Sequence, residues 1–244
     1  MRGPTAGVVV AWLFARDVSG WFAHSLADLM RWDAQGPQHV VGAKGGFIGV
    51  QTGPRIAEAR NQIVDTFASR HPEAEWLLMV DSDMTFECTI IEDMLKVADP
   101  EEVPILGALC FAAAGDHRGA YPTIYKEIET PTGIAVGPVH DYPKYALVKC
   151  GGTGAAGLLI HRSVLAAMSR PWPEGFGTRE DGTPNPYPWF SEGLVNPDGR
   201  GLGEDIAFCR RARALGIPVH VHTGIKMGHM KTYKLDEDYF LARQ

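Results

Sequence analysis

The chain is poor in the features that most readily mark a specialised protein. No C-x-x-C pair links its four cysteines, Cys88, Cys110, Cys150 and Cys209, and they sit mostly in apolar surroundings, so neither a zinc knuckle nor a disulfide framework is indicated. A reduced, cytoplasmic setting is the expectation. No run of Lys and Arg exceeds two residues, and a net charge of −6 with a pI near 5.8 argues against nucleic-acid binding as the main activity. Nothing approaches 18 consecutive apolar residues. The first apolar run, Val8 to Leu13, is soon interrupted by Arg16 and Asp17, which suits neither a signal peptide nor a membrane span. There is no internal repeat and no sign of a second core, so 1–244 is expected to form one domain, with 45% hydrophobic residues enough to fill it.

What is present is a set of short apolar runs that end in polar residues. Val8 to Phe14 is bounded by Gly7 and by Arg16-Asp17, the pattern of a strand buried on both faces. Trp76 to Val80 is a second such run, and it ends in Asp81-Ser82-Asp83. In open α/β sheets ligands bind beyond the carboxyl ends of the strands, so these acids stand where a ligand would be. Two adjacent ionised carboxylates repel each other, and hard oxygen ligands select Mg²⁺ or Mn²⁺. The same tripeptide is also good turn and capping chemistry, so its context has to decide.

That context is α/β throughout. Ser25 to Met30 reads as a short helix, Val40-Val41 and Phe47 to Val50 as short strands or loop, and Pro54 opens a helix over 54–70 with Ile56, Ala59, Ile63 and Phe67 inward. Thr89 with Glu92 forms a capping box for a helix ending near Ala98. Ile105 to Phe111 is a further strand. The region 114–145 holds edge strands such as Ile134 to Val136, and the glycines of 151–157 lead into Leu158-Leu159-Ile160 and a helix capped by Ser163. The stretch 171–203 is dense in Pro and Gly and carries aromatics, which suits an acceptor or lid loop. A last helix starts at Gly203-Glu204-Asp205 with Ile206, Cys209 and Ala212 inward, and strand 217–221 and a His-bearing tail follow.

Several of these features could serve one site: Asp81 and Asp83, Glu204 and Asp205, the histidines 220, 222 and 229, and the glycine stretch around Gly154. The glycines lack the P-loop Lys and the Rossmann spacing. Their order along the chain, together with the blocks Ala59-Arg60-Asn61 to Met84 and Gly203 to Met230, resembles glycosyltransferases of the GT-A fold. The likeness is to family 2-like members, including small bacteriophage-encoded ones.

The resemblance implies a three-layer α/β/α fold with a mostly parallel central sheet. It implies transfer of a sugar from a nucleoside diphosphate donor, UDP-linked, to an acceptor hydroxyl on a protein, glycan or lipid, with inversion where an acid takes the acceptor's proton; in a retaining enzyme the same acid would position the acceptor or sugar instead. Asp83 and His229 would hold Mn²⁺, or Mg²⁺, and Asp81 would reach the metal or the donor ribose. Asp205, or else Glu204, would take the acceptor's proton. Arg60, Arg16 and Lys231 are candidate contacts to the donor, Trp189 and Phe190 would stack on a sugar, and Gly154 would lie against substrate. The alternatives are a sugar-1-phosphate nucleotidyltransferase, whose basic Gly-rich loop after strand one is missing here, and a non-catalytic carbohydrate-binding protein.

Overall fold

The computed structural model describes residues 7–36, 39–42, 44–113, 119–131, 133–169, 189–192, 199 and 201–231. In chain order the elements are β1 (Gly7–Phe14), α1 (Gly20–Gln35), β2 (Gly46–Gln51), α2 (Ile56–Arg70), β3 (Ala74–Asp81), β4 (Met84–Thr85) and α3 (Ile90–Leu95). Next come β5 (Ile105–Leu109), β6 (Phe111–Ala113), β7 (Ala120–Pro122), β8 (Ile124–Thr130), β9 (Gly133–Pro138), β10 (Leu147–Cys150), β11 (Gly152–Thr153) and β12 (Gly157–His161). The described chain closes with α4 (Arg162–Met168), α5 (Glu204–Ala214), β13 (Val219–Lys226) and β14 (Gly228–His229).

The main sheet has seven strands in the order β10-β13-β5-β12-β3-β1-β2. β1, β2, β3, β5 and β13 run in one direction, while β12 is antiparallel to both neighbours and β10 is antiparallel to β13. Both faces are covered, which is why these strands read as continuous apolar runs rather than alternating ones. Val9, Ala11, Leu77, Met79, Leu158 and Ile160 face one core, shared with α2, α4 and α5. Val8, Val10, Leu78, Val80, Leu106 and Leu159 face the other, shared with α1 and α3. The expected three-layer α/β/α architecture is what the chain forms.

Local signals account for most departures from expectation. α1 is much longer than the span Ser25 to Met30, because Ser19 caps it by accepting from the Phe22 N–H at 3.2 Å. α2 begins at Ile56, after Pro54 rather than around it, and its N-terminal Ala57 N–H is taken by the distant Glu192 carboxylate at 3.3 Å. The Thr89–Glu92 capping box does not form; Thr89 Oγ1 donates to Asp93 at 2.7 Å instead. α4 is capped by His161, whose Nδ1 accepts from the Ser163 N–H, and not by Ser163 itself. The stretch 171–203 lies largely outside the described residues.

Among the described residues no helix is long and apolar enough to cross a membrane. All four cysteines are free.

Candidate active site

The parallel register sets Leu13 of β1 beside Asp81, so the ends of β1 and β3 open side by side on one edge of the sheet. Arg16, exposed just beyond β1, borders that edge. From Asp81 the chain turns through Ser82 and Asp83 into β4, and β4 pairs antiparallel with β14, His229 opposite Met84. The Met230 N–H donates to the Asp83 carbonyl at 2.8 Å. This small pairing holds together two segments 146 residues apart and brings His229 Nε2 to 3.0 Å from Asp83 Oδ2.

The other imidazole nitrogen, Nδ1, lies 2.9 Å from the Phe111 carbonyl, and Lys231 Nζ donates to Asp83 Oδ2 at 2.8 Å. Burial alone would raise the Asp83 pKa, but the hydrogen bonds from His229 and Lys231 outweigh it and hold the carboxyl at about 2. The His229 pKa is raised in turn, first by its bond to Asp83.

Arg60 reverses one expectation. It was a candidate donor contact, yet its side chain is only 5% exposed and is committed on both edges to protein. Its Nε donates to Glu204 at 2.9 Å, one terminal nitrogen donates to Asp81 Oδ1 at 3.0 Å, and the other reaches the Ala155 carbonyl at 3.4 Å. Burial would lower its pKa, but the charges of Asp81 and Glu204 more than offset that and raise it. Arg60 is therefore a buried brace between the acid that ends β3 and the acid that begins α5. Glu204, held by this arginine, is the poorer of the two base candidates.

Asp205 is placed differently. It sits in the first turn of α5, half-buried, with Oδ1 accepting from the Ile206 N–H at 2.7 Å. Desolvation first, and then the Glu204 charge, push its pKa up from 3.8 to about 6, against the pull of Arg60. Two glycines make room for this carboxylate. A Cβ at Gly203 would lie 2.6 Å from Asp205 Oδ1, so a side chain there would displace it, and a Cβ at Gly154 would touch Oδ2 at 3.5 Å. Gly154, expected against substrate, thus borders the Asp205 carboxylate.

Trp189 and Phe190 offer no face for stacking on a sugar. Phe190 is fully buried and stacks on Phe208 with ring centroids 4.7 Å apart, and Trp189 Nε1 donates to the Leu165 carbonyl at 2.9 Å. Asn61 pins the same segment: its amide donates to the Phe190 carbonyl at 2.8 Å and accepts the Phe190 N–H at 2.9 Å. The sequence had singled out Ala59-Arg60-Asn61 without assigning Asn61 this clamp. His220 and His222 lie in β13 opposite Leu106 and Ala108, and His222 Nδ1 accepts from the Gly224 N–H.

A divalent ion can be tested against these donors. Asp83 and His229 supply an oxygen and a nitrogen that already converge, and a carbonyl on the far imidazole nitrogen is the orienting partner that metal-bound histidines use. Asp81 has one oxygen engaged by Arg60. Among the described residues no group of three or more His, Cys, Asp or Glu is arranged to hold an ion. Among the described residues the donors that fit such an ion are thus Asp83 and His229.

No protein-family model matches the chain, and no curated protein matches it in sequence. Solved structures do match in fold. The A197 protein from STIV aligns at 14% identity with a TM-score of 0.55, covering 93% of this chain and 86% of that one. GalNAc-T7, crystallised with UDP, GalNAc and Mn²⁺, aligns at 10% identity with a TM-score of 0.52, over 95% of this chain and 44% of its own. This chain therefore spans less than half of GalNAc-T7. The fold is the GT-A fold of glycosyltransferases.

Proposed function

We propose that the chain is a metal-dependent glycosyltransferase that moves a sugar from a nucleoside diphosphate sugar, UDP-linked, to an acceptor hydroxyl with inversion. The observation that carries this is the convergence at one sheet edge of two chemically distinct acids. One is an ionised carboxylate paired with an imidazole, and the other is a desolvated carboxylate across a buried arginine. The fold likeness to GalNAc-T7, whose structure holds UDP and Mn²⁺, supports the choice of donor and ion.

Asp83 and His229 would hold the ion, and the imidazole favours Mn²⁺ over Mg²⁺. When bound, the ion offsets the charge that builds on the departing diphosphate. Because Asp83 and His229 are the pair that converges among the described residues, metal and nucleotide would bind far better together than apart. Asp81, steadied by Arg60 on one oxygen, keeps the other for the donor. Lys231, at the rim beside Asp83, is a cation within reach of the diphosphate.

The reaction is a single displacement at the anomeric carbon. The acceptor oxygen forms the new glycosidic bond as the bond to the diphosphate breaks, the nucleoside diphosphate departs with the electron pair, and Asp205 takes the acceptor's proton. A carboxyl with a pKa of about 6 suits that task near neutral pH.

The test is thermal unfolding with UDP and Mn²⁺. The pair should raise the melting temperature, either alone should raise it far less, and Asp83→Ala should abolish the shift. An unchanged shift in Asp83→Ala overturns the proposal.

A further inference from the structure

Two tyrosines, Tyr121 of β7 and Tyr125 of β8, lie on the strands that lead to the Asp205 end of the proposed site. β8 pairs with β11, Tyr125 opposite Gly152, and this lays β8 alongside the start of α5. Side chains alternate along a strand, so Tyr125 and Glu127 share a face. That face looks toward α5, because Glu127 pairs with Arg213 there, whereas Ile124 on the opposite face packs with Leu109 and Val221. At the corner between β7 and β8, the Thr123 carbonyl accepts from Thr153 Oγ1 at 2.9 Å. Thr123 also flanks Gly154 together with Asp205 Oδ2, each 3.5 Å from where a Cβ would stand. The corner therefore abuts Asp205. Tyr121 and Tyr125 are both half-buried, and burial, then the neighbouring Tyr121 phenol and the Asp205 charge, raise the Tyr125 pKa.

We infer that Tyr121 and Tyr125 form the acceptor subsite beside Asp205, and that the acceptor is a neutral carbohydrate whose pyranose ring lies against the tyrosine faces. The inference rests on the proposed transferase reading and adds the class of acceptor. A tyrosine offers a flat apolar face and a polar tip, which matches the C–H face and hydroxyl rim of a sugar. On this face Glu127 is neutralised by Arg213, and the exposed Glu129 adds a negative charge that disfavours an acidic acceptor.

A lipid acceptor would need an apolar track. None of the ten described large apolar residues that are exposed lies on β7 or on the α5-facing side of β8, Ile128 being on the far face.

The experiment is saturation-transfer NMR with methyl glycosides of glucose, galactose, mannose, xylose and N-acetylglucosamine, in the presence of UDP and diamagnetic Mg²⁺. At least one glycoside should receive saturation. Tyr125→Ala should weaken that binding about tenfold, the worth of one aromatic contact, and Tyr125→Phe, which keeps the ring, should weaken it less. The UDP–Mg²⁺ melting shift should persist in Tyr125→Ala, which shows that the variant is folded and its donor side intact. Tyr121→Ala replaces it if it does not fold.

If the melting shift is present but no glycoside binds, or binding survives both alanine variants, the inference is overturned and the transferase reading stands. Tyr125-dependent binding of a serine- or threonine-bearing peptide, with no glycoside binding, overturns it in favour of a protein acceptor. If UDP and metal produce no shift in the unaltered protein, the transferase reading fails and takes this inference with it.

Discussion

Asp83 and Asp205 are the same residue type in opposite electrostatic states. Asp83, at the rim of the sheet, is flanked by His229 and Lys231 and stays ionised down to about pH 2. Asp205, at the head of a helix that would normally favour a negative charge, is desolvated, lies beside Glu204, and titrates at about 6. Neighbours, not identity, set the difference, and a pair of acids with separated pKa values is how one site divides charge-holding from proton transfer. Arg60 lies between the two ends and restrains both, because it pairs with Asp81 and Glu204 and pulls the Asp205 pKa down.

The contrast can be broken most completely at the acids themselves. Asp205→Asn should lower transfer by about a thousandfold, the scale of a lost general base, while the UDP–Mn²⁺ melting shift remains. Asp83→Ala should instead lose the shift. If both variants behaved alike, the division of labour would be wrong. Next in size is the brace. Arg60→Met leaves two carboxylates facing each other without their cation and should cost about 3 kcal/mol of stability, read by urea unfolding. Arg60→Lys should recover part of it.

The pH dependence sharpens the comparison further. Transfer should rise with pH through about 6 as Asp205 loses its proton, and level off above. Stability follows the opposite sign for this group. Its folded pKa lies above the ordinary 3.8, so its contribution is full below 3.8 and is lost as pH climbs through about 6. For Asp83 the contribution is present above 3.8 and is lost as pH falls toward about 2. Melting curves of Asp205→Asn across pH 2 to 7 should lack the first trend and keep the second.

The smallest effect belongs to Lys231. Replacing it with Met removes a cation that competes for Asp83, so Mn²⁺ alone should bind about threefold more tightly in calorimetry, the scale of an exposed ion pair. With UDP present the gain should vanish or reverse.

The sequence revealed the frame of this site better than its wiring. β3 and its terminal acids were readable because a doubly buried strand must be continuously apolar, and the turn into solvent is abrupt. The start of α5 was readable because Gly203, two acids and an inward stripe fall together. The role of Arg60 was not, since its partners lie 21 and 144 residues away and a lone arginine on a helix looks like surface charge. Trp189 and Phe190 misled for a related reason. Aromatics among prolines and glycines suggest a binding loop, but these two pack on the core, Phe190 against α2 and α5 and Trp189 against α4. Tyr121 and Tyr125 lay in the stretch with the least periodicity, where only strand pairing reveals what stands beside each.

The position of β12 bears on how the molecule is made. It sits between β3 and β5, antiparallel to both, so the sheet has a gap at its centre until residues 157–161 have been synthesised. An emerging chain can pair β1 with β2 and β3, but it cannot join that unit to β5 without the later strand. Long-range pairing of this kind makes folding slow and leaves open strand edges exposed meanwhile. A ribosome stalled before residue 157 would therefore present one unpaired edge of β3 and both edges of β5, whose other neighbour β13 also comes later, and there chaperones or aggregation compete most directly with completion of the fold.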